Sequence, residues 1–308
     1  MIEHKPVMLH EVIAGLAIKS EGFYLDATFG RGGHSRALLE KLNPHGRLWV
    51  IDKDPEAILA ALELQQTDAR VTVWHGSFAS LKTMDNWSQL VGKFDGVLLD
   101  LGVSSPQLDN TARGFSFMRD GPLDMRMNNR DGQTAALWLN SVSEQNLTAA
   151  LKEYGEERFA RRIARAIISA RQEKPLTTTL ELAGIVQKAN PAWEKNKHPA
   201  TRSFQAIRMA VNNELQELTE GLNIALELLS PQGKLVVISF HSLEDRIVKR
   251  FIQKQALGDD YPPHFPIPSH ALNPRLKKIG KAVFPSDDEI AMNPRARSAV
   301  LRIAEKMP

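Results

Sequence analysis

The chain reads Leu25-Asp26-Ala27-Thr28-Phe29-Gly30-Arg31-Gly32-Gly33-His34-Ser35 at the point where its first apolar run ends. This order predicts a short strand that closes on a carboxylate, a glycine-rich turn, and a helix that begins near His34. A second apolar strand, Arg47–Asp52, ends on another carboxylate about 20 residues after the glycines. Glycines let a ligand approach the backbone, and an acid at this distance can accept hydrogen bonds from ribose hydroxyls. The stretch is therefore typical of a nucleoside-binding βαβ unit.

The spacing of the glycines distinguishes two classes of nucleoside cofactor. A dinucleotide fingerprint, G-x-G-x-x-G, would require its third glycine at position 35, which holds Ser35. Adenosylmethionine enzymes instead carry an acid followed by glycines at every second residue. Here Asp26 is followed by Thr28, Gly30 and Gly32, so only the first glycine is replaced. The pattern favours S-adenosyl-L-methionine as the cofactor, with an NAD-dependent dehydrogenase as the alternative.

Composition limits where the protein works and what it binds. The chain has 308 residues, 43% of them hydrophobic, which is enough for one large domain or two smaller ones. No apolar run approaches the ~20 residues of a membrane span, and the first residues lack the order of a signal peptide. These observations predict a soluble cytoplasmic enzyme without a membrane partner. Because the net charge is only +3, a nucleic acid would have to be bound by local basic patches.

The sequence contains no cysteine, and this excludes several chemistries. A thiolate zinc site, a cysteine-ligated iron–sulfur cluster and a cysteine nucleophile are all ruled out. A methyltransferase of this composition therefore lacks the cysteine adduct normally used at C5 of a pyrimidine, and it lacks the cluster used in radical methylation. Direct displacement by an amine, a ring nitrogen, a hydroxyl or a carboxylate remains, and no metal is predicted.

The order of apolar runs predicts an α/β fold with a doubly wound, largely parallel sheet. Short, nearly continuous apolar strands suit a sheet covered on both faces. The predicted strands are Phe23–Ala27, Arg47–Asp52, Val71–Trp74, Phe94–Leu101 and Lys234–Phe240. The fifth lies far downstream of the fourth, so we predict an inserted, mainly helical domain. The expected boundaries are a discontinuous core at 1–106 and 201–308 and a substrate-recognition insert at 107–200.

Helical spacing in the insert and strand-like runs in the tail complete this prediction. The predicted helices are Gln133–Asn140, Ser143–Tyr154, Glu156–Arg171, Thr178–Ala189 and one long helix, Thr201–Leu229. Thr178 and Glu181 form a plausible capping box at the start of the fourth. The runs Lys281–Phe284 and Ser298–Ala304 are expected to form an antiparallel final pair of strands.

Polar and aromatic side chains follow two of the predicted strands, where the ligand of a doubly wound sheet lies. Phe78 follows the third strand and could pack on an adenine ring. The fourth strand runs into Asp100–Gln107, the position of the acid-Pro-Pro-aromatic loop of amino-methyltransferases. Acceptors on the two hydrogens of an aniline-like amine localise its lone pair and act mostly in the transition state. Asp100, Ser104 and Ser105 are the predicted catalytic acceptors.

Further motifs follow one another in order along the chain. They are His4–Leu9, the glycine turn, Asp100–Gln107, Arg113–Phe117, Gly121–Met127, Tyr154–Ala160, His198–Arg208, Ser239–Arg246 and Asn293–Arg302. Together they resemble the RsmH/MraW family, the bacterial 16S rRNA cytosine-N4 methyltransferases, over nearly the whole chain. The resemblance implies a seven-strand class I (Rossmann-like) methyltransferase core with a helical insert. It also implies adenosylmethionine as donor and, as target, the N4 amine of a decoding-site (P-site) cytidine in 16S rRNA.

The resemblance also implies which residues contact the donor. They are Gly32, Gly33 and His34 at the methionine end, Asp52 at the ribose, Phe78 at the adenine, and Asp100 with Gln107 near the methyl-bearing end. The chain departs from commoner amino-methyltransferases because Ser-Ser-Pro-Gln replaces acid-Pro-Pro-aromatic. No aromatic residue at position 107 can stack the flipped base, so Phe115, Phe117 or another insert residue is the expected platform.

Basic residues indicate how RNA would be held. Helical spacing places four arginines on one face of the insert, namely Arg158, Arg161, Arg162 and Arg165. They suit phosphate contacts, although a solvated helix face gives the same pattern. Further basic residues, expected to form a distributed RNA surface, are Lys197, Arg202, Arg208, Arg275, Lys277, Lys278, Lys281, Arg295 and Arg297. His241 and Glu244 follow the fifth strand, where a helix cap explains them equally well.

Three alternatives to an rRNA enzyme acting within the small ribosomal subunit remain open on the sequence. A DNA amino-methyltransferase would share the pocket but act on DNA. A NAD-dependent dehydrogenase would use the same glycine turn. A ribosome-assembly factor could bind rRNA and keep the donor pocket without turnover, although the intact carboxylates at positions 52 and 100 argue against this.

Overall fold

The computed structural model describes residues 6–192, 198–259 and 273–308. Within these ranges the chain forms two compact units, one within Met1–Gly102 and Gln216–Pro308 and the other within Val103–Leu215. The predicted insert at 107–200 lies inside the second unit, which extends further in both directions. The assignment of the insert to substrate recognition stays a prediction.

The first unit contains a seven-stranded sheet in the order β3-β2-β1-β4-β5-β7-β6. Its strands are β1 Phe23–Asp26, β2 Arg47–Asp52, β3 Val71–His75, β4 Phe94–Asp100, β5 Leu229–Ser239, β6 Leu276–Val283 and β7 Val300–Lys306. β1 to β5 pair in parallel, whereas β7 is antiparallel to both β5 and β6. The predicted doubly wound seven-strand sheet is confirmed, including the antiparallel final pair.

Alternation along the strands explains why both faces of the sheet are covered. Successive side chains of a strand point to opposite faces. In β4, Leu98 joins one buried apolar cluster, whereas Val97 and Leu99 join another. The helices of this unit are α1 Leu9–Leu16, α2 Gly33–Leu39, α3 Pro55–Thr67, α4 Trp87–Leu90, α11 Glu214–Leu228 (from its third residue, Gln216), α12 Ser242–Leu257 and α13 Asp287–Met292. Helices α1 and α2 contribute to the cluster of Leu98, and α11 and α12 contribute to the other.

The second unit is built mainly from helices around its own apolar core. Its helices are α5 Ser105–Asp109, α6 Ala135–Ser141, α7 Glu144–Glu153, α8 Ala160–Glu173, α9 Thr179–Ala189 and α10 Thr201–Asn212. The predicted capping box of Thr178 and Glu181 is present at the start of α9. The prediction that a helix begins at Glu156 is wrong, because Glu156 has a left-handed backbone (φ 48°) and α8 begins at Ala160.

The prediction of a single helix over Thr201–Leu229 is also wrong, because the helix is interrupted at Asn213. Asn213 adopts a left-handed conformation (φ 51°), which asparagine tolerates better than most residues, and separates α10 from α11. The Arg208 guanidinium donates two hydrogen bonds of 2.7 Å to the Glu214 carboxylate and so joins the helices across the break. No helix in the described ranges is both long and apolar enough to cross a membrane.

Asn212 fixes an irregular segment of the second unit to α10. Its buried side chain accepts a hydrogen bond of 2.7 Å from the Met127 N–H and donates one of 2.7 Å to the Met125 carbonyl oxygen. Met125 itself has a positive φ of 60°. An apolar replacement would bury both backbone groups without these partners, and each such group costs about 1–3 kcal/mol.

We therefore expect Asn212→Ala to lower the free energy of unfolding of the full chain by about 2–5 kcal/mol. Chemical denaturation followed by circular dichroism measures this change. Asn146→Ala, at an exposed position of α7, is the matched control and should stay within about 0.5 kcal/mol of wild type. Equal effects of the two substitutions would contradict the anchoring role of Asn212.

Candidate active site

The glycine turn after β1 is shaped by two residues with left-handed backbone. Gly30 has φ 56° and Gly32 has φ 75°, values that side chains other than hydrogen rarely permit. A Cβ added at Gly32 would lie 2.4 Å from the Phe29 ring, and one at Gly33 would lie 2.6 Å from Cγ of Pro6. At Gly30, by contrast, no described atom lies within 4 Å of the added Cβ. The turn is therefore packed from one side at Gly32 and Gly33 and open at Gly30.

Asp52, at the end of β2, holds the turn through its carboxylate. Oδ2 accepts a hydrogen bond of 2.8 Å from the Gly30 N–H, and Oδ1 accepts one of 2.8 Å from the Asp54 N–H. Each carboxylate oxygen has a second lone pair, so the group can still accept hydrogen bonds from a ligand hydroxyl. Burial raises the pKa of Asp52 to about 6 despite these two donors.

Asp26, at the end of β1, joins the strand to the following helix. It is almost completely buried, and it accepts hydrogen bonds of 2.6 Å from the Ser35 hydroxyl and 3.2 Å from the Thr28 N–H. Burial raises the pKa of Asp26 as well. Thr28 occupies the position where the fingerprint expects a glycine, and its hydroxyl oxygen accepts a hydrogen bond of 2.6 Å from the Asp100 N–H. Thr28, which stands in place of that glycine, thus connects the turn to β4, a role that sequence reasoning missed.

His34 and Asp100 form a pair at the base of the turn. Nε2 of the buried His34 lies 2.9 Å from the Val7 carbonyl oxygen, which requires a hydrogen on Nε2. Nδ1, which then carries no hydrogen in the neutral ring, lies 3.6 Å from Oδ2 of Asp100. Oδ1 of Asp100 is buried and has no hydrogen-bond partner among the described residues. Burial raises the pKa of Asp100 to about 6, and this carboxylate offers an uncompensated acceptor to a ligand.

Phe78 begins a short 3₁₀ turn, Phe78–Thr83, after β3. Its ring is half-buried and packs against α11, where a Cβ added at Gly221 would lie 2.2 Å from the ring. Gly221 therefore allows the close approach that fixes the ring at the carboxyl end of the sheet. Its contact with adenine stays a prediction.

Ser104, Ser105 and Gln107 belong to the second unit, at the start of α5. The buried Gln107 accepts a hydrogen bond of 2.9 Å from the Ser104 N–H through Oε1, which closes a capping box. Gln107 thus has a structural part in shaping the loop that follows β4, besides the donor contact predicted for it. Both serines are half-buried.

The four arginines predicted to share one helix face do not all lie on a helix. Arg158 precedes α8 and lies over the Phe159 ring, with its guanidinium carbon 5.4 Å from the ring centroid. Arg161, Arg162 and Arg165 lie on α8 and are exposed, and Arg165 is paired with Glu144 at 3.1 Å. The continuous stripe is therefore a wrong prediction, whereas the exposure of all four side chains agrees with a surface role.

The other predicted basic residues divide between internal and surface positions. Arg208 is paired with Glu214, and Arg202 donates a hydrogen bond of 2.6 Å to the Glu156 carbonyl oxygen. Lys278 and Lys281 line a small surface cleft of the first unit together with Lys249. The remaining exposed members are Arg275, Lys277, Arg295 and Arg297. Lys197 lies outside the described residues.

His241 and Glu244, which the sequence left undecided, lie at the start of α12. Oε2 of the buried Glu244 accepts a hydrogen bond of 2.9 Å from the Phe240 N–H, and Oε1 lies 3.1 Å from Nε2 of His241. Asp245 accepts two hydrogen bonds from Arg302 of β7. These contacts support the structural interpretation of this helix start.

The fold and the strand-end residues define a class of protein. A five-strand parallel sheet extended by an antiparallel β7 and β6, a glycine turn after β1, and carboxylates closing β2 and β4 are the features of the class I, Rossmann-like methyltransferases. The chain belongs to the MraW methylase family, whose model matches residues 1–307.

Curated relatives match this chain along almost its whole length. A ribosomal RNA small subunit methyltransferase H from Hydrogenovibrio crunogenus is 57% identical over 304 residues, covering 99% of this chain and 96% of the relative. The protein of that name from Chromohalobacter salexigens is 55% identical over 305 residues, covering 99% and 92%.

Two solved structures align with the chain at much lower sequence identity. An rRNA methylase from Streptococcus thermophilus aligns with a TM-score of 0.43 at 11% identity, covering 100% of this chain and 99% of that one. An SAM-dependent O-methyltransferase from Thermotoga maritima aligns with a TM-score of 0.44 at 9% identity, covering 100% and 69%. Similarity at this level carries no functional argument.

The raised pKa of Asp100 leads to a prediction about stability and pH. A carboxyl whose folded pKa is about 6 instead of 3.8 destabilises the ligand-free fold above pH 6, and this penalty disappears as the pH falls towards 4. Asp100→Asn removes the charge, and its amide can donate to Nδ1 of His34. We expect the variant to be about 1–3 kcal/mol more stable than wild type at pH 7.5 and equal to it near pH 4.

Urea denaturation at both pH values measures this difference. Asp85→Asn, an exposed position in the same unit, should change stability little at either pH. A stability gain of Asp100→Asn that is the same at pH 4 and pH 7.5 would contradict a titrating Asp100.

Proposed function

We propose that this protein transfers a methyl group from S-adenosyl-L-methionine to the N4 amine of a decoding-site (P-site) cytidine in 16S rRNA, within the small ribosomal subunit. The observation that carries the proposal is the full-length similarity to relatives named as ribosomal RNA small subunit methyltransferases. The cytoplasm is the corresponding location. The geometry of the strand ends supports the reaction type, and the absence of cysteine argues against methylation at C5 of a pyrimidine.

The residues at the strand ends fit adenosylmethionine. Gly30 leaves open space beside the turn, and Asp52 can accept hydrogen bonds from ribose hydroxyls. The buried Oδ1 of Asp100 has no hydrogen-bond partner among the described residues. Together these features suit a nucleoside that carries positive charge. The proposed contacts are Gly32, Gly33, His34, Asp52, Phe78, Asp100 and Gln107. When bound, this cofactor supplies an activated methyl group on a sulfonium. No metal is required by this chemistry.

Positioning of the cytidine amine is the proposed catalytic device. Asp100, together with the hydroxyls and backbone of Ser104 and Ser105, would accept hydrogen bonds from the amine and localise its lone pair. These interactions strengthen as the nitrogen becomes alkylated, so they act on the transition state. The amine releases its extra proton to solvent as it is alkylated, so no strong general base is required before attack. The displacement is direct and in-line, without a covalent adduct between enzyme and base.

The second unit, which contains the predicted insert, is proposed to hold the RNA. Exposed arginines on and next to α8 are suited to contact backbone phosphates, while the cytidine is displaced from its neighbours to reach the methyl donor. Arg158, Arg161, Arg162 and Arg165 are the proposed contacts.

The decisive experiment incubates small subunits that lack base methylation with the protein and labelled adenosylmethionine, followed by mass spectrometry of nucleosides. We expect one new N4-methylcytidine peak. Label on a different nucleoside would overturn the cytidine target, and label transferred instead to naked DNA would favour a DNA amino-methyltransferase. Donor binding without any transfer would favour a non-enzymatic assembly factor, and binding of NAD in place of adenosylmethionine would favour a dehydrogenase.

Salt dependence tests the proposed role of the α8 arginines. Each phosphate contact contributes about 0.7–0.9 to the slope of log affinity against log salt. We expect the double variant Arg161→Gln/Arg162→Gln to lower this slope by about 1.4–1.8 for kcat/KM with small subunits, because two contacts are lost. The matched double variant Lys41→Gln/Lys93→Gln removes two exposed charges from the first unit and should leave the slope unchanged. Equal slopes in both variants would remove these arginines from the RNA surface.

A further inference from the structure

Three aromatic rings in the second unit form a stack that leads from the core to the surface. The Phe204 ring, buried on α10, meets the Phe117 ring edge-to-face with centroids 4.8 Å apart and an interplanar angle of 73°. Phe117 is half-buried and in turn stacks on the His198 ring, with centroids 4.5 Å apart and an angle of 26°. His198 is exposed. The exposed His198 ring thus packs on Phe117, and Phe117 in turn packs on the buried Phe204 ring.

The orientation of the His198 ring is fixed by a second contact. Its Nδ1 accepts a hydrogen bond of 3.2 Å from the Ala200 N–H, immediately before α10 begins. This bond places the lone pair on Nδ1 and leaves a hydrogen on Nε2 in the neutral ring. Because Phe117 covers one face, the exposed area of the ring lies on its opposite face and its outer edge. Met118, the residue that follows Phe117 in the chain, is 79% exposed.

We propose that the outer face of His198 is a stacking platform for an unpaired base of the RNA substrate. This inference rests on the proposed function. A single pre-oriented aromatic ring is comparable in area to one nucleobase and is far smaller than the surface that a protein helix would need. Base–aromatic stacking tolerates any base, because every base has a π face, and the Nε2–H adds a donor at the ring edge.

A pair of substitutions separates stacking from a merely structural role. His198→Asn keeps an acceptor for the Ala200 N–H but removes the ring, whereas His198→Tyr keeps a ring but removes that acceptor. The stacking platform predicts that His198→Asn weakens binding of a small-subunit rRNA fragment by about 5- to 150-fold and that His198→Tyr stays close to wild type. Binding is measured by fluorescence anisotropy, and melting temperatures report on folding.

Two further variants complete the experiment. His45→Asn, an exposed histidine of the first unit, is the matched control and should bind RNA like wild type. Phe117→Leu removes the support beneath His198 and should weaken RNA binding while adenosylmethionine binding, measured by calorimetry, stays unchanged.

The outcomes are distinguishable. Retained RNA binding in His198→Asn with loss in His198→Tyr would assign His198 to capping of α10 and overturn the platform. Wild-type RNA binding in both variants would also overturn the stacking platform, and the proposed function would stand. A wild-type protein that binds no rRNA fragment and methylates no small subunit would refute the proposed function, and the platform with it.

Discussion

The glycine turn depends on hydrogen bonds from the ends of three neighbouring strands. Glycines at positions 30, 32 and 33 contribute no side chains to hold the turn, so its conformation has to be imposed from outside. Asp52 does this from β2 through the Gly30 N–H, and Asp26 does it from β1 through the Thr28 N–H and the Ser35 hydroxyl. Thr28 completes the network by accepting from the backbone of β4. The position of each strand end is therefore coupled to the shape of the site.

This network has an electrostatic cost. Asp26, Asp52 and Asp100 lie together in a poorly solvated region, and the pKa of each is raised by burial. Like charges so placed destabilise the ligand-free fold at neutral pH. Unfavourable charge of this kind is typical of functional sites, where a ligand can relieve it. Under the proposed function, the positive charges of adenosylmethionine offset this repulsion. The carboxylates that destabilise the ligand-free fold would then increase the affinity for the donor.

Much of this architecture could be predicted from the sequence because it rests on local patterns. Apolar runs located the strands β1 to β4 to within one residue, and the capping pair at Thr178 located α9. The start of β5 was missed, because the strand begins at Leu229 and the prediction began at Lys234. The failures have a common cause in tertiary contacts. The break at Asn213 and the left-handed Glu156 interrupt patterns that remain periodic on either side, so periodicity could not show them. Likewise, the hydroxyl of Thr28 serves a strand that lies far away in the sequence, and no local rule reveals such a partner.

The division of the first unit has a consequence for folding. The central strands β4 and β5 pair in parallel, with Asp100 opposite Ile238, although the whole second unit separates them in the chain. Closing so long a loop lowers the rate at which this pair can form, since the entropy of closure is lost before the contact is gained. If the second unit folds early, its compact structure brings the ends of this loop closer together. The entropy lost when β4 and β5 pair is then smaller. Substitutions that slow folding of the helical unit are therefore expected to delay assembly of the sheet, even where they touch none of its residues.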